Sequence, residues 1–291
     1  MKKLSTYLMS LILSVVLVFA VVATAILVVV RTNVTAEKCV KLSEDINIYS
    51  SIKGELQKYF GNQYNTTGIP ADVYMDAVDE EYIRHITDAY TNALFTSLKS
   101  DSVVLLEIPP NKEMETNIED FFSEYADSNG YKKDEVYNKK VSATKKNAYE
   151  VIENYCDVYK YNTIMEHGVL SKASKVYSNL DKLMTVCVGA LILLIVLLIL
   201  VNIKGISGVL YWTGVSALIS GIFGTVPFAY LLSDNYFDSF VIKQPQVFRT
   251  FTSAMYGLSE TCMAVHIAVL SAGVFLIVIY AVVSRLHKKA E

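Results

Sequence analysis

LMTVCVGALILLIVLLILVNIKGISGVLYWTGVSALISGIFGTVPFAYLLS, residues 183–233, contains one charged side chain, Lys204. On either side of that lysine stands a run at least as long as the roughly 20 apolar residues that cross about 30 Å of hydrocarbon. Inside a bilayer the backbone must satisfy its own hydrogen bonds, so each run reads as a helix. The stretch is therefore two transmembrane helices, 183–203 and 205–233, joined by a turn at Lys204.

Applied outward, the same test finds two more runs free of Asp, Glu, Lys and Arg, at 4–30 and 261–284. The first is longer than the 7–15 residues of a signal-peptide core and is read as an uncleaved anchor. Residues 1–3, Lys204 and the tail 285–291 are basic through Lys2, Lys3, Arg285, Lys288 and Lys289. Positive flanks stay in the cytoplasm, which places both termini inside and residues 31–182 and 234–260 outside. Tyr7, Tyr211, Trp212 and Tyr280 then fall near the inner interface and Tyr230 near the outer one, as amphipathic aromatics prefer. The expected fold is all-α: a four-helix transmembrane protein with a large α-helical extracytoplasmic domain inserted between the first two spans.

Charge follows the same division. Residues 31–182 hold 18 of the 26 Lys and Arg but 25 of the 29 Asp and Glu, so the external segment is acidic. Nucleic-acid binding rests on Lys and Arg neutralising phosphates, and this segment is the wrong sign for it. The lipid bilayer is the first partner.

The external segment reads as helices. Leu42, Ile46, Tyr49, Leu56 and Phe60 share a face, and a first helix is expected to continue the first span upward. Pro70 suits the start of a short helix to about Ala77, and another begins near Asp79, whose carboxylate favours a helix N-terminus. Residues 102–110 resist helix because Pro109-Pro110 restrict the backbone before them. A helix from Lys112 is closed by Asn129-Gly130, and a last one runs from about Lys132 toward the second span, with Gly168 as its interruption. Leu170, Ala173, Tyr177, Leu180 and Met184 form an apolar seam on it, and the first and last external helices are expected to pack as an antiparallel stalk. In the loop 234–260, Phe248, Phe251, Met255 and Leu258 mark an amphipathic helix.

Small residues recur at helix-packing spacing: Ser216, Ser220 and Gly224 on the third span, with Ala217 and Gly221 beside them, and Ala264, Ala268 and Ala272 on the fourth. They allow backbones to approach closely in lipid. The expectation is a contact between these two spans, with a homodimer face as the alternative. Within the spans the one ionisable side chain other than cysteine and tyrosine is His266, read as a hydrogen-bonded packing residue rather than a proton relay.

No catalytic or cofactor motif is present: no G-x-S-x-G, P-loop, H-E-x-x-H or dinucleotide glycine pattern. The chain is expected not to be an enzyme and to need no cofactor. Glu81, His85 and Asp88 stand at i, i+4, i+7 and could present three metal ligands on one helix face, a spacing that an acidic helix also produces by chance. Four cysteines are too few for a disulfide scaffold. Cys39 and Cys156 lie in the same external segment and could bridge only if the chain folds back near Gly168, since bridged Cα atoms lie within about 7 Å. The many external tyrosines suit either a recognition surface or the core of a small helical domain.

The order of one span, a large external domain and three closing spans resembles the permeases of the macrolide exporters and the cell-division permease. The resemblance is one of topology and implies a transporter's membrane subunit partnered with an ATPase. A helical external domain and a Lys204 turn too short for a coupling helix depart from that pattern. Tetraspanins place their large loop between the last two spans, and the Trp and paired-Cys signature of claudins is missing. The reading favoured by the residues is a bacterial plasma-membrane protein whose external domain binds, senses or scaffolds, and whose inward signal passes through a protein partner.

Overall fold

A computed structural model describes residues 2–100, 102–106, 108–203 and 205–290. Lys204, the expected cytoplasmic turn, lies outside the described residues, as do the side chains of Lys2, Lys3, Lys288 and Lys289. The chain is all-helical, with no strand among the described residues. Among the described residues four helices are long and apolar enough to cross a membrane: Leu4–Asn33, Val169–Val201, Ser207–Ser233 and Pro245–Leu286. The chain divides into two compact units. One comprises Met1–Val34, Asn179–Ser239 and Ala254–Glu291, and the other Thr35–Ser178 and Phe240–Ser253.

The first unit, the membrane unit, contains α1 (Lys2–Asn33), α10 (Leu180–Val201), α11 (Ile206–Ser233) and most of α12 (Pro245–Ala290). Helix α1 packs on both α10 and α11, around Leu17, Leu198 and Trp212. Hydroxyls and an amide tie the same helices: Ser14 Oγ lies 2.7 Å from Ser216 Oγ, and Asn202 Nδ2 donates to Ser10 Oγ at 2.9 Å. Where α1 and α10 leave the apolar run, Arg31 Nε donates to Asp181 Oδ1 at 2.5 Å. At the opposite level Trp212 meets Tyr7 of α1 edge-on at 5.3 Å and Tyr211 at 5.2 Å, and Tyr211 meets Tyr280 of α12 at 5.2 Å. These are the four aromatics that the sequence places at one interface.

The second unit is a helical domain: α2 (Ala36–Asp45), α3 (Ile48–Thr67), α4 (Asp72–Met75), α5 (Glu80–Ser100), α6 (Lys112–Asn129), α7 (Glu135–Cys156), α8 (Tyr161–Glu166) and α9 (Val169–Ser178). Polar residues cut these helices to length. Gly68, at φ 72°, closes α3, and Gly130, at φ 67°, closes α6. Asp79 Oδ1 accepts from Tyr82 N at 2.7 Å to start α5, and Asn111 Oδ1 accepts from Met114 N at 3.0 Å to start α6. Asp134 does the same for α7. The core is built from Ile48, Ile52, Leu56, Ile83, Ile86 and Met114 with Ile118, Ile152 and Tyr161, all essentially without exposure.

Several expectations are corrected here. The helix expected to carry the face from Leu42 to Phe60 is divided into α2 and α3 at Ile46 and Asn47, where Asn47 stands at φ 50°. The last external helix is broken at Asp157–Lys160 as well as at Gly168, because the buried Asp157 carboxylate accepts from Tyr161 N (2.7 Å) and Asn162 N (2.9 Å) and starts a new helix. Burial pushes the Asp157 carboxyl above its usual range, while the amide donors pull it back. The main partner of α9 is α5, with Tyr177 edge-on to Phe95 at 5.9 Å, rather than the first external helix. The loop helix and the fourth span are one helix, α12, since no proline follows Pro245 to break it. Phe248, Phe251, Met255 and Leu258 are half-buried on it, while Gln246 and Thr250 are the fully buried positions in its first turns.

The stretch after α5 is non-helical, as its prolines require. Tyrosine hydroxyls hold it: Tyr161 Oη accepts from Val104 N at 3.0 Å and pairs with Ser97 Oγ at 2.9 Å, and Tyr149 Oη accepts from Asn111 N at 2.8 Å. Of the tyrosines, Tyr49, Tyr74, Tyr90 and Tyr161 are core, and Tyr64, Tyr125 and Tyr131 are exposed.

Candidate functional site

The three side chains considered as metal ligands all lie on α5. Asp88 accepts the Tyr49 hydroxyl at 2.8 Å, and burial raises its pKa. Arg84 stands over the Tyr49 ring at 5.1 Å and reaches Glu44 at 3.4 Å. Glu81 and His85 are exposed. Among the described residues no three His, Cys, Asp or Glu side chains are gathered as a metal would require. The α5 face is used for packing on α2 and α3.

Cys39 and Cys156 are free thiols. The chain does return to Cys39, since Tyr159 Oη donates to its carbonyl at 3.1 Å. Cys156 is wholly buried in the core beside Thr87, and burial pushes its thiol up to about 12. The pair is therefore not a bridge in this structure.

The small residues of the membrane unit divide their work. Ser216 faces α1, and Ser220 Oγ turns back to Ser216 O at 2.7 Å. The contact with α12 is made by glycines: a methyl group on Gly221 would lie 2.7 Å from the Leu270 Cα, and one on Gly273 would lie 2.6 Å from the Leu218 amide nitrogen. Gly224 faces His266, whose ring occupies the space a side chain there would need. Ala264, Ala268 and Ala272 are exposed, so the expected face on α12 is replaced by the face of Cys262, His266, Leu270 and Gly273. Alanine at i, i+4 permits a close approach without selecting it. His266 is fully buried with Nδ1 2.7 Å from the Cys262 carbonyl, which requires the proton on Nδ1, and Phe228 lies 6.0 Å away.

Among the described residues, three clefts on the surface of the helical domain can be compared. Two are small, about 290 Å³ each, and lined by carboxylates: Asp72, Asp76, Asp120 and Glu124 in one, Glu150, Glu153, Asp157 and Glu166 in the other. The third is about 480 Å³ and differs in kind. It opens between the end of α3 (Thr67, Gly68, Ile69), α6 (Phe121, Phe122, Tyr125) and α7 (Lys140, Ala143, Thr144). Phe122 is braced edge-on by Phe121 at 5.8 Å and by Tyr137 at 6.4 Å, and Tyr125 stacks on Tyr131 at 6.1 Å. Nothing in the sequence alone brings these residues together. The available signal was Phe121-Phe122 with Tyr125 one turn on, more aromatic surface than the core stripe of α6 through Met114 and Ile118 absorbs.

The membrane unit has a groove of about 640 Å³ between α1 and α11, lined almost wholly by apolar side chains such as Val15, Phe19, Ile219 and Phe223. No protein family model, curated protein or solved structure matches this chain.

Proposed function

We propose that the chain is a bacterial plasma-membrane protein whose helical domain lies outside the cell, binds or senses a ligand there, and acts through a second membrane protein. The observation that carries this reading is the domain itself: Thr35–Ser178 has its own core, most of the chain's charge and an open aromatic cleft, and it is inserted between helices able to cross a membrane. The basic flanks of the spans support the outward placement. Loops and clefts carried on a rigid helical scaffold are where recognition is usually found.

The test is purification of the tagged protein from its native membrane in mild detergent, followed by mass spectrometry. A membrane signalling or assembly protein recovered in fixed ratio is the expected result. Recovery in fixed ratio with an ATPase, together with ATP hydrolysis, would replace this reading with that of a transporter subunit.

A further inference from the structure

The cleft between α3, α6 and α7 differs in charge from the two carboxylate-lined clefts, and that difference selects a ligand. Its lining holds no Asp or Glu among the described residues, although residues 31–182 carry an excess of acids. Its one charged side chain is Lys140. Helix α7 has four lysines, and three are engaged: Lys139 with Glu135 at 2.8 Å, Lys145 with Glu119 at 2.5 Å, and Lys146 with Glu150 at 3.7 Å. Among the described residues Lys140 has no carboxylate partner. An acidic surface offers many carboxylates to a lysine, and this one is left facing an aromatic cleft.

We infer that this cleft binds a small organic acid with an aromatic or aliphatic body. The body lies against Phe121, Phe122, Tyr125 and Ile69, and the carboxylate is held by Lys140 with Thr144, one helical turn on, as the second polar group. Apolar walls with a few convergent polar groups are the ordinary form of a small-molecule site, and about 480 Å³ suits a ligand of that size. A cationic ligand would meet Lys140 and is directed instead to the carboxylate-lined clefts. Tyr125, exposed in the lining and stacked on Tyr131, supplies a flat surface against which a ring can lie.

The inference rests on the reading of the helical domain as a binding domain, and it names the ligand class. The test uses the full chain in lipid nanodiscs and isothermal titration calorimetry, with empty nanodiscs subtracted. The probes are 3-phenylpropanoate and, with the charge reversed, 3-phenylpropylammonium. The expected result is saturable binding of the acid alone. Lys140→Ala should weaken it about tenfold, as loss of a charge-assisted hydrogen bond does. Lys140→Arg should retain it within about twofold on the same reasoning. Ala143→Trp, which fills the cleft from an exposed helical position, should abolish it while the helical circular dichroism is unchanged. Equal binding of the ammonium, indifference to Lys140→Ala and Ala143→Trp, or no binding of the acid would each overturn the inference. Binding in nanodiscs does not depend on which side of the membrane the domain occupies, so failure here is distinguishable from failure of the external placement.

Discussion

The two units solve the same packing problem with opposite means. In the membrane unit helices meet through what is missing from their side chains: Gly221 and Gly273 let backbones touch, and Ser14, Ser216 and Asn202 add hydrogen bonds. In the helical domain they meet through large side chains, and the tyrosine hydroxyls tie loops to helices. The difference matches the two solvents proposed for the units. Apolar burial drives helices together in water, at about 25 cal/mol per Å². In lipid that drive is absent, and close contact plus interhelical hydrogen bonds must supply the association.

The glycines give the largest expected effect. Gly221→Val places branched carbon against the Leu270 backbone and should destabilise the membrane unit by about 3 kcal/mol. Trp212, the single tryptophan and nearly buried on α11 against Leu17 and Leu198, reports on that unit alone through its fluorescence during thermal unfolding in detergent. An unchanged transition would show that glycine contacts do not set the stability of this unit.

Tyr161→Phe should cost the helical domain about 2 kcal/mol, because the Val104 carbonyl loses the hydroxyl that donates to it and Val104 N and Ser97 are left with each other at 3.2 Å. The loss should show in the far-ultraviolet circular dichroism melt and leave the Trp212 transition in place. Gly54→Ala reverses the sign of the glycine rule between the units. Gly54 lies in mid-α3 with open space around its missing Cβ, and alanine should stabilise the domain by about 0.5–1 kcal/mol. Any destabilisation would mean that glycine has a packing role in the helical domain too.

Ser14→Ala removes an interhelical hydroxyl contact and should cost only about 0.6 kcal/mol, the usual scale for such bonds in membranes. The smallest effect is that of pH. Burial raises the pKa of Asp88, Glu153 and Asp157, so their neutral forms are favoured in the fold. The stability they contribute is complete below their usual carboxylate values and is lost as pH rises through the raised ones. The helical domain should therefore melt higher at pH 5 than at pH 7.5, and Glu153→Gln should flatten that dependence.

These contrasts also explain what was legible in the sequence. The four helices able to cross a membrane could be read because each coincides with a long charge-free run. The start of α5 and the end of α6 could be approximated from Asp79 and Gly130, whose roles are local. The break at Asp157 could not, since a capping aspartate is distinguished from a surface one only by its burial against Tyr161 and Asn162. The sequence does not select the packing face of α12, because the periodicity of Ala264, Ala268 and Ala272 is as regular as that of the face that does pack. The cleft was out of reach for a different reason: Ile69, Phe121 and Lys140 come from three helices far apart in sequence, and only tertiary packing brings them to one opening.

The external placement of the helical domain is the claim on which the functional reading turns, and single-cysteine labelling tests it most directly. With the four native cysteines replaced by alanine, Ser128→Cys in the domain and Lys288→Cys after the fourth span are treated with a membrane-impermeant maleimide in intact cells and after lysis. The account predicts that Ser128→Cys labels in intact cells and Lys288→Cys only after lysis. Labelling of Lys288→Cys in intact cells with Ser128→Cys protected would contradict it.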